Sequence, residues 1–127
     1  MLDSELQAFV AGLIRSVWAL EVLLLLRRRS PAALTPDELT RELRATPTLV
    51  TTCLQQLETA GLVAGENGAW TFSPSSPRLA ELAGMLEQAY LERPVAVVDA
   101  IMSKPDSRLK TFADAFRFKD KNKEKDE

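Results

Sequence analysis

The sequence contains no histidine and a single cysteine, Cys53, among its 127 residues. The absence of imidazole removes the commonest general base and the commonest metal ligand of proteins. One thiol excludes an intrachain disulfide, so a reducing cytoplasm is the simplest setting. The chain also lacks a glycine-rich phosphate loop and a nucleophile elbow. We therefore expect no enzyme, no catalytic residue, no cofactor and no metal site.

The charge balance and the length of the apolar runs further limit the kinds of protein that this chain could be. The chain carries 16 Lys and Arg against 18 Asp and Glu, so no overall positive field attracts nucleic acid. The longest apolar run, residues 17–26, contains Glu21 and is too short to span a bilayer. Residues 1–6 lack the basic start of a signal peptide. We expect a single cytoplasmic domain without membrane contact.

Residues 46–62, TPTLVTTCLQQLETAGL, are the most informative stretch. Thr46 is a good N-cap, Pro47 suits the first helical position, and Gly61 supplies a stop. At about 100° per residue, one helix face is apolar: Leu49, Val50, Cys53, Leu54 and Leu57. The other face carries hydroxyl and amide groups: Thr48, Thr51, Thr52, Gln55 and Thr59. These groups suit base edges in a major groove, and they equally suit a solvated face.

Another capped helix is predicted immediately before this stretch. Thr35, Pro36 and Glu38 form a capping box in which the hydroxyl and the carboxylate satisfy each other's backbone N–H groups. Only about three residues, 44–46, separate the two helices. Two short capped helices joined so tightly indicate a helix-turn-helix.

A β-hairpin is predicted to follow the helix pair. Residues 62–64 and 69–72 have strand character, and the Gly/Asn-rich stretch 65–68 favours a tight turn between them. Trp70 and Phe72 alternate with a polar residue, so one face of the second strand should pack on the core. Helix, helix and hairpin in this order are the plan of a winged helix.

The sequence resembles the bacterial winged helix-turn-helix transcriptional regulators, the broad group that contains the MarR-like repressors. The residues that carry the resemblance lie within about 17–73: LTPDEL at 34–39, TP at 46–47, Leu54, LETAGLV at 57–63 and WTF at 70–72. The resemblance implies a homodimer on double-stranded DNA, with the second helix, about 47–60, in the major groove and the hairpin beside the minor groove. The fold class it implies is mainly α, a winged helix-turn-helix with a short two-stranded wing.

The resemblance and the helix faces together predict which residues would contact DNA. Bases would meet the polar face of the second helix, and phosphates would meet three arginines: Arg28, Arg41 and Arg44. The chain departs from the family in charge, because residues 35–61 hold two arginines against four acids and the hairpin turn adds Glu66. Phosphate neutralisation supplies most DNA affinity. The acidic balance leaves open an alternative function, a protein-interaction module that does not bind DNA.

Residues 3–29 are predicted to form one long helix. Its apolar positions fall at near-heptad spacing. Residues 17–26 are apolar on most sides and should be buried on most sides. The earlier part, 2–14, carries a stripe that needs a partner, either the C-terminal helices or the same helix of a second chain. We favour a dimer contact through Leu2, Leu6, Phe9 and Leu13.

Two local features allow two interpretations each. The arginines at 27–29 either complement the helix dipole at a C-terminus or act as a phosphate clamp. Cys53 is either a small buried hydrophobe or a thiol sensor, and no adjacent Lys or Arg supports a lowered pKa.

The C-terminal half is predicted to be a helical layer. A linker at 73–77 precedes three amphipathic helices, at about 76–92, 95–102 and 109–118. Residues 119–127 balance four lysines against four acids and should be a disordered tail. The whole is one domain, 1–118, with a core at 17–73, an N-terminal extension at 2–16 and the helical layer at 76–118. A ligand cavity between the layers would lack convergent polar groups.

Overall fold

The computed structural model describes residues 2–102 and the backbone of one short strand pair, residues 120–121 and 123–124. The described chain is mainly helical with small two-stranded antiparallel sheets. The elements are α1 (Ser4–Leu13), α2 (Val17–Arg29), α3 (Pro36–Leu43), α4 (Pro47–Thr59), β1 (Val63–Glu66), β2 (Ala69–Phe72), α5 (Pro77–Glu92), α6 (Pro94–Met102), β3 (Asp120–Lys121) and β4 (Lys123–Glu124).

The predicted long N-terminal helix is wrong, because the chain breaks between α1 and α2. The two helices meet at 107°. Ile14 is extended and fully buried, and Ser16 caps α2 by accepting a hydrogen bond from the Ala19 N–H at 3.0 Å. The apolar residues keep a near-heptad spacing across the break. The only sequence signal for a new helix start is the N-cap serine, so the pattern favoured one continuous helix.

Helix α2 occupies the centre of the core. Its residues from Ala19 to Leu26 are buried with the exception of Glu21, as the all-round apolar pattern predicted. It packs against α3, α4, α6 and β2. Trp18 departs from the pattern, because its side chain is 39% exposed.

Helix α1 covers this core by packing on α5 and α6. Leu2, Leu6 and Phe9 are buried within their own chain, and Leu13 is half-buried against the same core. The predicted dimer contact through these four residues is therefore corrected: the apolar stripe meets the C-terminal helices, which was the other partner the sequence allowed.

The hairpin pairs Val63 with Phe72 and Glu66 with Ala69. Asn67 and Gly68 both have positive φ, 55° and 80°, which is the backbone that a tight two-residue hairpin turn requires. Trp70 and Phe72 pack against the core as expected. A feature the sequence did not reveal is an isolated bridge from Leu34, whose N–H and carbonyl bond to Trp70 at 2.9 and 2.8 Å.

The helical layer is confirmed for α5 and α6. Ser76 caps α5, and its Oγ accepts from the Leu79 N–H at 3.1 Å. The predicted helix at 109–118 lies outside the described residues. Within the predicted tail, β3 pairs with β4, and the other tail residues lie outside the described part of the chain.

Within the described part of the chain, no individual helix is both long and apolar enough to cross a bilayer. The bent pair α1 and α2 reaches the necessary length and composition together.

The N-cap of α2 fixes the start of the central helix, so its loss should be measurable. Replacing Ser16→Ala leaves the Ala19 N–H without its side-chain acceptor and should lower the free energy of unfolding by about 1 kcal/mol. Urea unfolding monitored by circular dichroism measures the change. Ser4→Ala is the matched control, because Ser4 is exposed and caps nothing. Equal stability of the two variants would contradict this role for Ser16.

Candidate nucleic-acid interface

Helix α4 is held by its caps and by its buried face. Thr46 Oγ1 accepts from the Leu49 N–H at 3.2 Å, and Pro47 opens the helix where no N–H is needed. Gly61 turns the chain with φ of 80°, and a Cβ at this position would lie 2.6 Å from Ser75 Oγ. The inner face packs on α2: Leu49 is half-buried, and the other four of its residues are at most 1% exposed, namely Val50, Cys53, Leu54 and Leu57.

The outer face of α4 points away from the protein. All five side chains nominated for base contact are exposed, and none has a hydrogen-bond partner within the described residues: Thr48, Thr51, Thr52, Gln55 and Thr59. Since each residue rises 1.5 Å, the row extends for about 16 Å along the helix. The structure therefore brings these five donors and acceptors together on one solvent-facing surface.

Two arginines lie at the end of α3, where the chain turns towards α4: Arg41 in the last helical turn and Arg44 at the C-cap. Arg44 adopts the left-handed conformation, with φ of 56° and ψ of 42°, and its N–H bonds back to Arg41 O. Arg41 and Arg44 are both exposed. Neither forms an ion pair with a described carboxylate, so both positive charges remain available to an anion.

Two of the four acids near this surface are already engaged. Glu38 completes the predicted capping box, accepting from the Thr35 N–H at 2.8 Å while Thr35 Oγ1 accepts from the Glu38 N–H at 3.1 Å. Glu42 forms an ion pair with Arg29 of α2 at 3.0 Å. The charge count from sequence missed this arginine, because it lies in another element. The exposed surface is consequently less acidic than residues 35–61 alone indicate.

The arginines that end α2 have cross-helix partners. Arg27 forms an ion pair with Glu87 of α5, and Arg28 Nη1 lies 3.4 Å from the other carboxylate oxygen of Glu87. Arg28 therefore has a carboxylate partner on α5, whereas Arg41 and Arg44 have no ion-pair partner among the described residues. Its predicted phosphate contact stays a prediction, one that would compete with Glu87.

Cys53 behaves as the buried hydrophobe that the sequence favoured. It is 1% exposed, and burial raises the pKa of its thiol, an effect opposed by a hydrogen bond with Ser16. A thiol kept protonated and covered is a poor sensor. In the part of the chain that the structure describes, no three His, Cys, Asp or Glu residues are grouped so as to hold a metal ion.

No family model, no curated protein and no solved structure matches this chain.

The left-handed backbone at Arg44 predicts that glycine will have opposite effects on stability at Arg44 and at Arg41. Glycine adopts this backbone without the steric penalty of a Cβ, so Arg44→Gly should raise the free energy of unfolding by up to about 1 kcal/mol. The same change at Arg41, inside α3, should lower it by about 1 kcal/mol, because glycine weakens helix interiors. Denaturant unfolding of both variants tests the pair. If both substitutions destabilise equally, Arg44 does not hold the turn in this conformation.

Proposed function

We propose that this protein is a winged-helix transcriptional regulator that acts in the cytoplasm as a homodimer, with α4 in the major groove of double-stranded DNA. The observation that carries the proposal is the outer face of α4: five exposed hydroxyl and amide side chains, without side-chain partners among the described residues, on a helix whose opposite face is anchored in the core. No catalytic step is part of the proposal.

The order of elements supports the winged-helix assignment. Helix α2, the short bridge at Leu34, helices α3 and α4, and the β1–β2 hairpin follow one another in the sequence that this plan requires. The bridge matters because it ties the hairpin to the segment that leads into α3. The two helices and the hairpin are therefore held on one scaffold.

Each exposed group has a role in this proposal. The Gln55 amide matches the donor and acceptor pair of adenine in the major groove, and the threonines supply hydroxyl and methyl contacts. Arg41 and Arg44 neutralise phosphates and fix the register. Two arginines per subunit give a dimer about four phosphate contacts, which corresponds to a salt slope near −4 on a double-logarithmic plot. Affinity should thus depend more on base contacts than on charge.

Selection from random duplex DNA at low salt tests the proposal directly. Wild-type protein should enrich one sequence class. Gln55→Ala should relax the preference by a factor of about 5 to 150 at one base position, because a bidentate base contact contributes about 1–3 kcal/mol. Arg44→Ala should weaken all sites alike and make the salt slope shallower by about 1 per subunit.

Two controls accompany this measurement. Gln88→Ala removes an exposed amide from α5, and Arg93→Ala removes a charge at the α5–α6 junction. Neither should change the enriched sequence. Failure to enrich any sequence, with all proteins folded, would refute the DNA-binding proposal.

The homodimer needs a contact surface other than α1, whose stripe is buried. The described chain exposes large apolar side chains at the end of α5 and along α6: Leu91 at 73%, Val95 at 71% and Met102 at 71%. On α6, Val95, half-buried Val98 and Met102 are spaced 3 and 4 residues apart, the spacing of a helix–helix seam, and Leu91 lies just before the break that separates α5 from α6. We place the dimer contact on this row.

Charge introduced into this row should separate the subunits. The double variant Val95→Glu with Met102→Glu is expected to shift a dimer to monomer in analytical ultracentrifugation, because two carboxylates per subunit would be buried unpaired. Its far-UV circular dichroism should be unchanged, since both sites are exposed within the monomer, and its Tm should fall only by what dimer formation contributes. Gln7→Glu with Gln88→Glu carries the same added charge elsewhere and should remain dimeric. A double row variant that stays dimeric would move the contact to another surface.

A protein-interaction module is the second candidate. It is favoured by three exposed acids that have no partner in the described part of the chain: Asp37 on α3, Glu58 on α4 and Glu66 at the end of β1. Retention on mixed-sequence DNA at low salt separates the two functions, because an interaction module would not be retained.

A further inference from the structure

A cleft of about 400 Å³ opens between the first turns of α2 and the end of α3. Its lining residues are Val17, Trp18, Glu21, Glu42 and Leu43. The sequence indicated no convergent polar groups for a ligand, yet the structure brings two glutamates from different helices to one opening. Its volume lies within the range of about 300–1,000 Å³ that is usual for small-molecule sites.

The walls of the cleft are apolar and aromatic. Trp18 is 39% exposed although it belongs to the most buried helix of the described chain. Val17 and Leu43 are half-buried beside it. An accessible indole face attracts cations through its quadrupole, and the two aliphatic side chains favour an apolar body next to that charge.

The two carboxylates differ in charge balance. Glu42 is neutralised by Arg29 at 3.0 Å. Glu21 receives only the Tyr90 hydroxyl, which donates to its Oε2 at 2.9 Å, and it forms no ion pair with a described cation. Burial and the neighbouring Glu21 charge raise the pKa of Tyr90, so the phenol remains a neutral donor. One negative charge in the cleft is therefore left unbalanced.

We propose that this cleft binds an organic monocation, with its ammonium group between the Trp18 indole and the Glu21 carboxylate and its apolar part against Val17 and Leu43. A single positive charge matches the one uncompensated carboxylate. The apolar part distinguishes such a ligand from an inorganic cation, which would find too few oxygen ligands here. The proposal does not depend on DNA binding.

Phenyltrimethylammonium is a suitable probe, and tert-butylbenzene is its neutral counterpart of the same shape. Titration is followed in ¹⁵N–¹H spectra through the indole N–H signals of Trp18 and Trp70. The Trp18 signal should shift in a saturable way with the cation. Glu21→Gln should weaken the cation at least about tenfold, because the amide still accepts from Tyr90 but the charge is gone. Trp18→Leu, at a partly exposed site, should weaken it by a similar factor when followed by calorimetry.

Two comparisons make the test specific. Glu81→Gln removes the same charge from an exposed site on α5 and should leave the affinity for the cation unchanged. The neutral counterpart should bind wild type and Glu21→Gln equally. The proposal is overturned if the Trp18 signal does not saturate, if Glu21→Gln binds the cation as wild type does, or if Glu81→Gln weakens it as much as Glu21→Gln.

Discussion

The burial of α2 is the constraint on which the rest of the structure depends. A helix that is apolar on nearly every side cannot be stable until other elements cover it. In this chain α3, α4, α6 and β2 all pack against it, and α1 closes the layer through α5 and α6. Each covering element is amphipathic, so each turns a polar face outward. The exposed face of α4 is thus a consequence of how the core is covered.

Local signals allowed much of this fold to be predicted from the sequence. The capping box at Thr35 and Glu38, the Pro47 start of α4 and the Asn67–Gly68 turn depend on residues within a few positions of one another, and all three are present. The α1–α2 break was missed because a regular apolar stripe runs through it. Whether that stripe meets its own chain or a second copy depends on contacts with α5 and α6, more than sixty residues away, which no local pattern specifies.

The sequence predicted which side chains of α4 are exposed better than it predicted the net charge around them. The outward positions of α4 follow from a 3.6-residue period, so the five base-contact candidates were identified correctly as one exposed face. Counting charges along residues 35–61 overstated the acidity, because Glu42 is paired with Arg29 from another helix. The partner of Arg28 was missed for the same reason, since Glu87 lies 59 residues further along the chain. The groups that line the cleft, Glu21 and Glu42, also come together only in the folded chain.

How firmly α4 is held decides what kind of recognition its outer face can perform. Truncating one fully buried leucine typically costs about 2–5 kcal/mol, while a whole domain is stable by only about 5–15 kcal/mol. Leu54 and Leu57 are at most 1% exposed against α2. Freeing α4 from the core would therefore cost a large share of the stability of the protein. The five polar side chains are therefore presented by a helix that is already fixed in the folded chain. For the DNA binding that we propose, such a face suits direct readout better than folding upon binding would.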